Sequence, residues 1–195
     1  LDIGTGTGAV LFALMELVDF EKGVRMVGID PSLSVIEHAT LMTGKLNCEH
    51  FIQFREGAFE DIPFPDETFD IVISNASFNL FIEKERAIYE MSRVAKSGGK
   101  VIIADCFKKL GVQFKESNIC CKKNRLWAVC ILGAVGKNWL INLCKDNGLY
   151  FEEAEDVTVI VKGLVSKETG QGKWGWREFI DYDLEYHVLV FNKVG

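Results

Sequence analysis

The segment Asp2-x-Gly4-x-Gly6-x-Gly8 stands between the apolar tripeptide Leu1-Asp2-Ile3 and a stretch from Ala9 to Asp19 whose apolar residues at 10, 11, 14, 15, 17 and 18 follow a helical period. Glycines at alternate positions between a strand and a helix let the backbone turn sharply and let a ligand approach it closely. Asp30 lies 22 residues beyond Gly8, at the end of the next predicted strand, where a carboxylate can accept both hydroxyls of an adenosine ribose. A loop of this kind belongs to a βαβ unit, and the rest of the chain alternates short β-branched runs with helical-period segments, the pattern of a parallel sheet with helices on its faces.

The pattern predicts strands at Leu1 to Ile3, Val24 to Ile29, His50 to Phe54, Phe69 to Ser74 and Lys100 to Asp105. Helices are expected from Ala9 to Asp19, from Pro31-Ser32 to about Gly44, from Glu83 to Ala95 with Ser97-Gly98-Gly99 as its stop, and from about Gly136 to Asn147. Phe69 to Ser74, apolar apart from Asp70, reads as a fully buried strand. A strand from Asp156 to Val165, a loop from about Ser166 to Asp183 and a last strand from Tyr186 to Asn192 complete the expectation. At 195 residues, with no internal repeat and no linker, one domain spanning 1–195 accounts for the chain. Because Leu1 to Ile3 already reads as the end of a buried strand and the chain does not begin with Met, it is expected to be N-terminally truncated.

Composition removes several classes of function. With 48% hydrophobic and 26% charged residues and 3 prolines, a disordered or collagen-like chain is excluded. The charge is −6, from 22 basic against 28 acidic residues, and no run of five basic residues occurs, so no nucleic acid partner is expected. The longest apolar stretch, Leu126 to Val135, spans ten residues, short of the roughly 20 that cross a bilayer, so no membrane partner is expected either. Six cysteines without a C-x-x-C pair read as reduced thiols and point to a cytoplasmic location. His38, His50 and His187 are scattered without ligand spacing, and no metal site is expected.

The loop chemistry narrows the ligand. A pyrophosphate favours an uncharged loop at a helix N-terminus, whereas Asp2 aims a carboxylate at the same pocket. An anion there suits a cation, and S-adenosylmethionine is an adenosine carrying a sulfonium and an amino group with no phosphate. LDIGTGTG, VGIDPS, GAFEDIPFPDETFDIVISNASFNLF and YEMSRVAKSGGKVIIAD, in that order over about residues 1 to 106, resemble the class I S-adenosylmethionine-dependent methyltransferases. That resemblance implies an α/β, Rossmann-like, doubly wound seven-stranded sheet of order 3-2-1-4-5-7-6 with strand 7 antiparallel. It also implies S-adenosylmethionine as cofactor, held by Asp2, Gly4, Thr5, Gly6 and Gly8 around the methionine part and ribose. Asp30 and Pro31 would serve the ribose hydroxyls, Phe59 and Glu60 the adenine, and Ser74 and Asn75 the reactive methyl. Gly57 is followed by Ala58 where many relatives carry an acid.

The expected function is methyl transfer to a small-molecule acceptor by in-line displacement. ISNASFNL and LWAVCILGA resemble arsenite methyltransferases, whose cysteines bind trivalent arsenic, and the wider resemblance includes the quinone-biosynthesis methyltransferases. Cys130 sits on the second motif as a candidate catalytic thiolate, while Ala76 occupies the cysteine position of the first, and Cys120 and Cys121 could supply a replacement. A free cysteine in an apolar run also reads as a small buried hydrophobe, as do Cys48, Cys106 and Cys144. Trp174, Trp176 and Arg177 could wall an acceptor pocket or form a hairpin tip, and Asp105 reads either as a base or as a capping residue. Two rival functions are a non-catalytic S-adenosylmethionine-binding protein of the same fold and a nicotinamide-dependent oxidoreductase.

Overall fold

The computed structural model describes residues 1–109, 133–160 and 184–194. Its strands are β1 (Asp2–Ile3), β2 (Met26–Asp30), β3 (Ile52–Glu56), β4 (Phe69–Asn75), β5 (Ala95–Lys108), β6 (Val135–Gly136), β7 (Leu149–Asp156) and β8 (Leu184–Lys193). Its helices are α1 (Ala9–Leu14), α2 (Leu33–Leu46), α3 (Lys84–Val94) and α4 (Lys137–Asp146), with single 3₁₀ turns at Phe20–Lys22 and Phe78–Leu80. The sheet order is β3-β2-β1-β4-β5-β8-β7, with two-residue β6 beside β5. β8 runs antiparallel to both β5 and β7, whereas the pairings among β1 to β5 are parallel. With β7 and β8 as its sixth and seventh long strands, this is the order the resemblance implied.

From β1 the connection to β2 goes one way across the sheet and β4 lies on the other side, so a crevice opens at the carboxyl ends of β1 and β4. Helix α3 places Ala87, Ile88, Met91 and Val94, all fully buried, on one face at helical spacing. Burying Ile88 and Met91 contributes roughly 1.5–3 kcal/mol each. They join Val72, Val101, Ile103, Leu189 and Phe191 of the sheet and Leu140 and Cys144 of α4 in the main core. A smaller cluster packs Leu11, Phe12, Met26, Ile52 and Phe54.

Four expectations change. The strand expected at Asp156 to Val165 lies earlier, at Leu149–Asp156, and Thr158 to Ile160 is helical. This edge strand buries only Leu149 and is otherwise largely charged, a composition that protects a sheet edge and hides it from a hydrophobic-run reading. β4 is not buried throughout: Val72 and Ser74 are covered, but Ile71 on the opposite face is 47% exposed. On that face α1 and α2 contact β2 and β3, while α3 contacts β4 and β5 from the other side. Finally, α1 stops at Leu14 rather than Asp19, and β5 begins at Ala95, before the glycines expected to precede it. The chain there bulges between the Phe69–Ala95 and Ile71–Lys100 pairs, with Gly98 at φ +77°.

The segment from Phe59 to Asp66 is fixed to α3 by one ion-pair hub. Arg93 donates to the Ile62 and Phe64 carbonyls at 2.9 and 2.8 Å, to Asp66 at 2.8 Å and to Glu90 at 2.7 and 3.0 Å. Glu90, 2% exposed, also accepts the Ile62 amide at 2.9 Å. Burial raises its carboxyl, but the Arg93 and Ile62 donors outweigh that and hold it below the ordinary glutamate value. Arg93→Ala leaves that carboxylate the Ile62 amide and, as ion-pair partner among the described residues, only Arg86 at the longer 3.4 Å, and urea unfolding should register a loss of about 3 kcal/mol.

Candidate functional site

The loop after β1 combines three left-handed glycines, Gly4 (φ +68°), Gly6 (φ +53°) and Gly8 (φ +82°), which serve different ends. A Cβ on Gly8 would meet Phe54 at 2.4 Å, and one on Gly4 would meet Ser77 at 2.5 Å, so both are close-packing positions. Among the described residues, a Cβ on Gly6 would meet no atom within 4 Å. Gly6 therefore presents bare backbone to open space, the surface a ligand needs for close approach. Gly28, inside β2, leaves room for the Thr5 hydroxyl, which a Cβ there would meet at 2.7 Å.

The two acids converge on this loop. Asp30, at the end of β2, accepts the Gly6 amide at 3.0 Å through one oxygen and the Ser32 amide at 2.9 Å through the other. Pro31 lies exposed between these contacts. Asp2 is 1% exposed and accepts the Thr5 hydroxyl at 2.7 Å. Burial pushes its carboxyl up to about 6, the Thr5 hydroxyl opposes this, and the Asp30 charge adds to it. A cation placed beside Asp2 would favour its ionised form.

The other expected residues are arranged around this centre at differing depth. Phe59 is buried, its ring 5.1 Å from Phe81 and 6.4 Å from Phe78, with its edge 3.5 Å from where a Gly4 Cβ would stand. It supports the loop from beneath, whereas Glu60 is exposed and its carbonyl accepts Arg86 at 2.9 Å. Ser74 is fully buried, its hydroxyl 2.9 Å from that of Ser77, which donates to the Ile3 carbonyl at 2.9 Å. Asn75 is exposed at the end of β4 and accepts the Tyr186 hydroxyl at 3.2 Å. Cys130, Cys120, Cys121, Trp174, Trp176 and Arg177 lie outside the described residues. The described cysteines, Cys48, Cys106 and Cys144, are buried, and burial pushes the Cys48 and Cys144 thiols up.

Asp105 takes the capping role. Its carboxylate accepts the Asn79 amide at 3.0 Å, the Asn79 side-chain nitrogen at 2.8 Å and the Cys106 amide at 2.7 Å. It thereby fixes the Phe78–Leu80 turn that follows Asn75 and Ala76, the latter at φ +54°. Gly28, Ser77, Asn79 and Tyr186 were not singled out from the sequence. An isolated glycine within an apolar strand and an asparagine within SFNLF were the available signals.

Three comparisons bear on this geometry. Residues 1–167 match the methyltransferase domain family. An arsenite methyltransferase of Mus musculus is 31% identical over 150 residues, covering 69% of this chain and 36% of the relative. A phosphatidylethanolamine N-methyltransferase of Cereibacter sphaeroides is 31% identical over 109 residues, covering 56% of this chain and 51% of the relative. The first curated relatives are matched over 39%, 51% and 36% of their own length, so the chain spans about a third to a half of them. The crystal structure of geranyl diphosphate C-methyltransferase from Streptomyces coelicolor A3(2), in complex with Mg2+, geranyl diphosphate and S-adenosyl-L-homocysteine, superimposes with a TM-score of 0.79 at 16% identity. That match covers 99% of this chain and 70% of the other and supports the fold.

The buried acids yield a pH prediction. Burial raises Asp105 from 3.8 to about 6, so the contribution of its protonated form is fully present below pH about 4 and lost as pH rises through about 6. Asp2 behaves in the same sense. In urea titrations Asp105→Asn should flatten the stability-against-pH curve between pH about 4 and 6 by roughly 1.4 kcal/mol per pH unit, leaving the share of Asp2.

Proposed function

We propose, from the premise that this chain belongs to the S-adenosylmethionine-dependent methyltransferase family, that it transfers a methyl group to a small-molecule acceptor at the carboxyl edge of β1 and β4. The observation that carries the reading is Gly6, whose left-handed backbone meets no atom of the described residues where a side chain would project and whose amide is held by Asp30. The residues present fit the cofactor: Asp2 matches a cationic amino-acid part, the Asp30 carboxylate matches a ribose diol, and the loop offers backbone in place of phosphate ligands. When bound, S-adenosylmethionine supplies an electrophilic methyl on a sulfonium.

The chain's part is to orient and to exclude water. Holding a nucleophile about 3 to 3.5 Å from the methyl and in line with it can supply roughly 7–11 kcal/mol of the barrier. Asn75, tied to Tyr186, and the turn fixed by Asp105 border the acceptor side. Asp105 is surrounded by its own donors and 1% exposed, which favours a soft or already ionised nucleophile that needs no base from it. The arsenite methyltransferase relatives support an arsenite-like acceptor, for which the motif LWAVCILGA makes Cys130 the candidate thiolate. A quinone-precursor-like acceptor is the alternative, supported by 31% identity over 116 residues to a ubiquinone/menaquinone biosynthesis C-methyltransferase of Geotalea daltonii.

Calorimetric titration with S-adenosylhomocysteine should show saturable binding that Asp30→Ala weakens roughly 10- to 100-fold, the loss of one or two hydrogen bonds to a charged group. Gly6→Ala should fold, at a backbone cost of about 1–2 kcal/mol, and lose the ligand. Affinity should rise between pH 5 and 7 as Asp2 ionises, and Asp2→Asn should remove that rise. Saturable binding indifferent to Asp30→Ala and Gly6→Ala would reject the site. Binding without methyl transfer to arsenite, thiols or phenols would favour the non-catalytic alternative.

A further inference from the structure

The end of β7 and the start of β8 bring Asp156 together with Glu185 and His187, two neighbours that lie far from it along the chain. His187 pairs with Asp156 across the β7–β8 ladder, and Glu185 lies two residues from His187, so all three fall on one face of the sheet. One ligand atom from each lies within 4.8 Å of the others. His187 Nε2 is 3.0 Å from a Glu185 carboxylate oxygen. The His187 ring is 5% exposed, with the Phe107 ring 5.9 Å away at 64°, so an apolar wall fixes the imidazole. Asp156 is exposed, and one of its oxygens accepts the Thr158 amide at 2.9 Å. The turn that follows β7 therefore orients the third donor.

Two carboxylates facing one imidazole repel each other unless a cation lies between them. Lys137, at the start of α4, also acts on Asp156. Its field reaches Asp156 from the side of α4. Asp105, the third residue in the row Asp105–His187–Asp156, is satisfied by Asn79 and Cys106. This leaves Asp156, Glu185 and His187 as a distinct donor set at the carboxyl edge, separated from β1 by β4 and β5.

We propose that Asp156, Glu185 and His187 form a binding site for a divalent first-row transition ion of the zinc class. One imidazole nitrogen and two carboxylate oxygens suit such ions. Ligands bound at about 2.0–2.2 Å from one ion stand roughly 3–3.5 Å apart. The Glu185–His187 pair already has that spacing, and Asp156, whose donor atom lies within 4.8 Å of the other two, closes the remaining distance. Three protein donors leave coordination positions open on the solvent side, where an oxyanion or hydroxyl ligand could bind. The proposal is independent of the methyl-transfer reading, because no residue of the glycine loop takes part.

The test is titration of the full chain, stripped with chelator and dialysed, with Co2+ followed by absorption and with Zn2+ followed by calorimetry. The site predicts one ion per chain, with weak ligand-field bands and no intense sulfur charge-transfer band, which separates it from binding to the cysteines. Glu185→Gln and His187→Gln should each weaken binding roughly 10- to 100-fold while leaving S-adenosylhomocysteine binding and the melting curve close to the parent. Absence of saturable binding would overturn the proposal. Cobalt spectra of thiolate type, or affinity indifferent to both substitutions, would overturn it as well.

Discussion

The turn out of β1 is the constraint on which the rest of the structure depends. Gly4 and Gly8 adopt left-handed backbone where a Cβ would strike Ser77 and Phe54, so the loop is clamped between the β4 side of the sheet and the α1 side. Clamped in this way, it aims Gly6 and its amide at the crevice, where Asp30 meets it. The strand order then places this loop at the point where connections diverge to β2 on one side and β4 on the other. Loop geometry and topology specify the same place.

Buried polar groups extend that order towards the acceptor side. Asp2 caps Thr5, Ser77 links β4 to the Ile3 carbonyl, and Asp105 gathers the Asn79 turn. Each of these groups is nearly removed from water and each is hydrogen-bonded, so each costs stability if its partner is lost and gains rigidity while the partner stays. The Asn79 side-chain oxygen is the exception among the described residues, buried without a partner. On the far side, the Arg93–Glu90 hub holds the segment from Ile62 to Asp66 against α3, and through it the Phe59 support of the loop.

Much of this was legible in the sequence because glycine spacing and strand-terminal acids are local signals. The loop, Asp30 and the first five strands are encoded by residues close to one another along the chain. β7 was misplaced because an edge strand needs few buried side chains, and its acidic sequence LYFEEAED resembles a surface loop more than VTVIVKGLV does. The exposure of Ile71 was hidden for the opposite reason: an apolar run does not say on which face a helix will lie. Asn79, Tyr186 and the Asp156–Glu185–His187 group depend on cross-sheet register, which no short window of sequence contains.

The central claim is that the glycine loop and the end of β2 form the cofactor cradle. Amide hydrogen exchange of the full chain with and without S-adenosylhomocysteine tests it most directly, since it reports position without requiring a known acceptor. The account predicts slowed exchange at the amides of Gly4 to Gly8 and of Ser32, with little change across β7 and α4. Protection absent from the loop but present elsewhere, at saturating ligand, would contradict it.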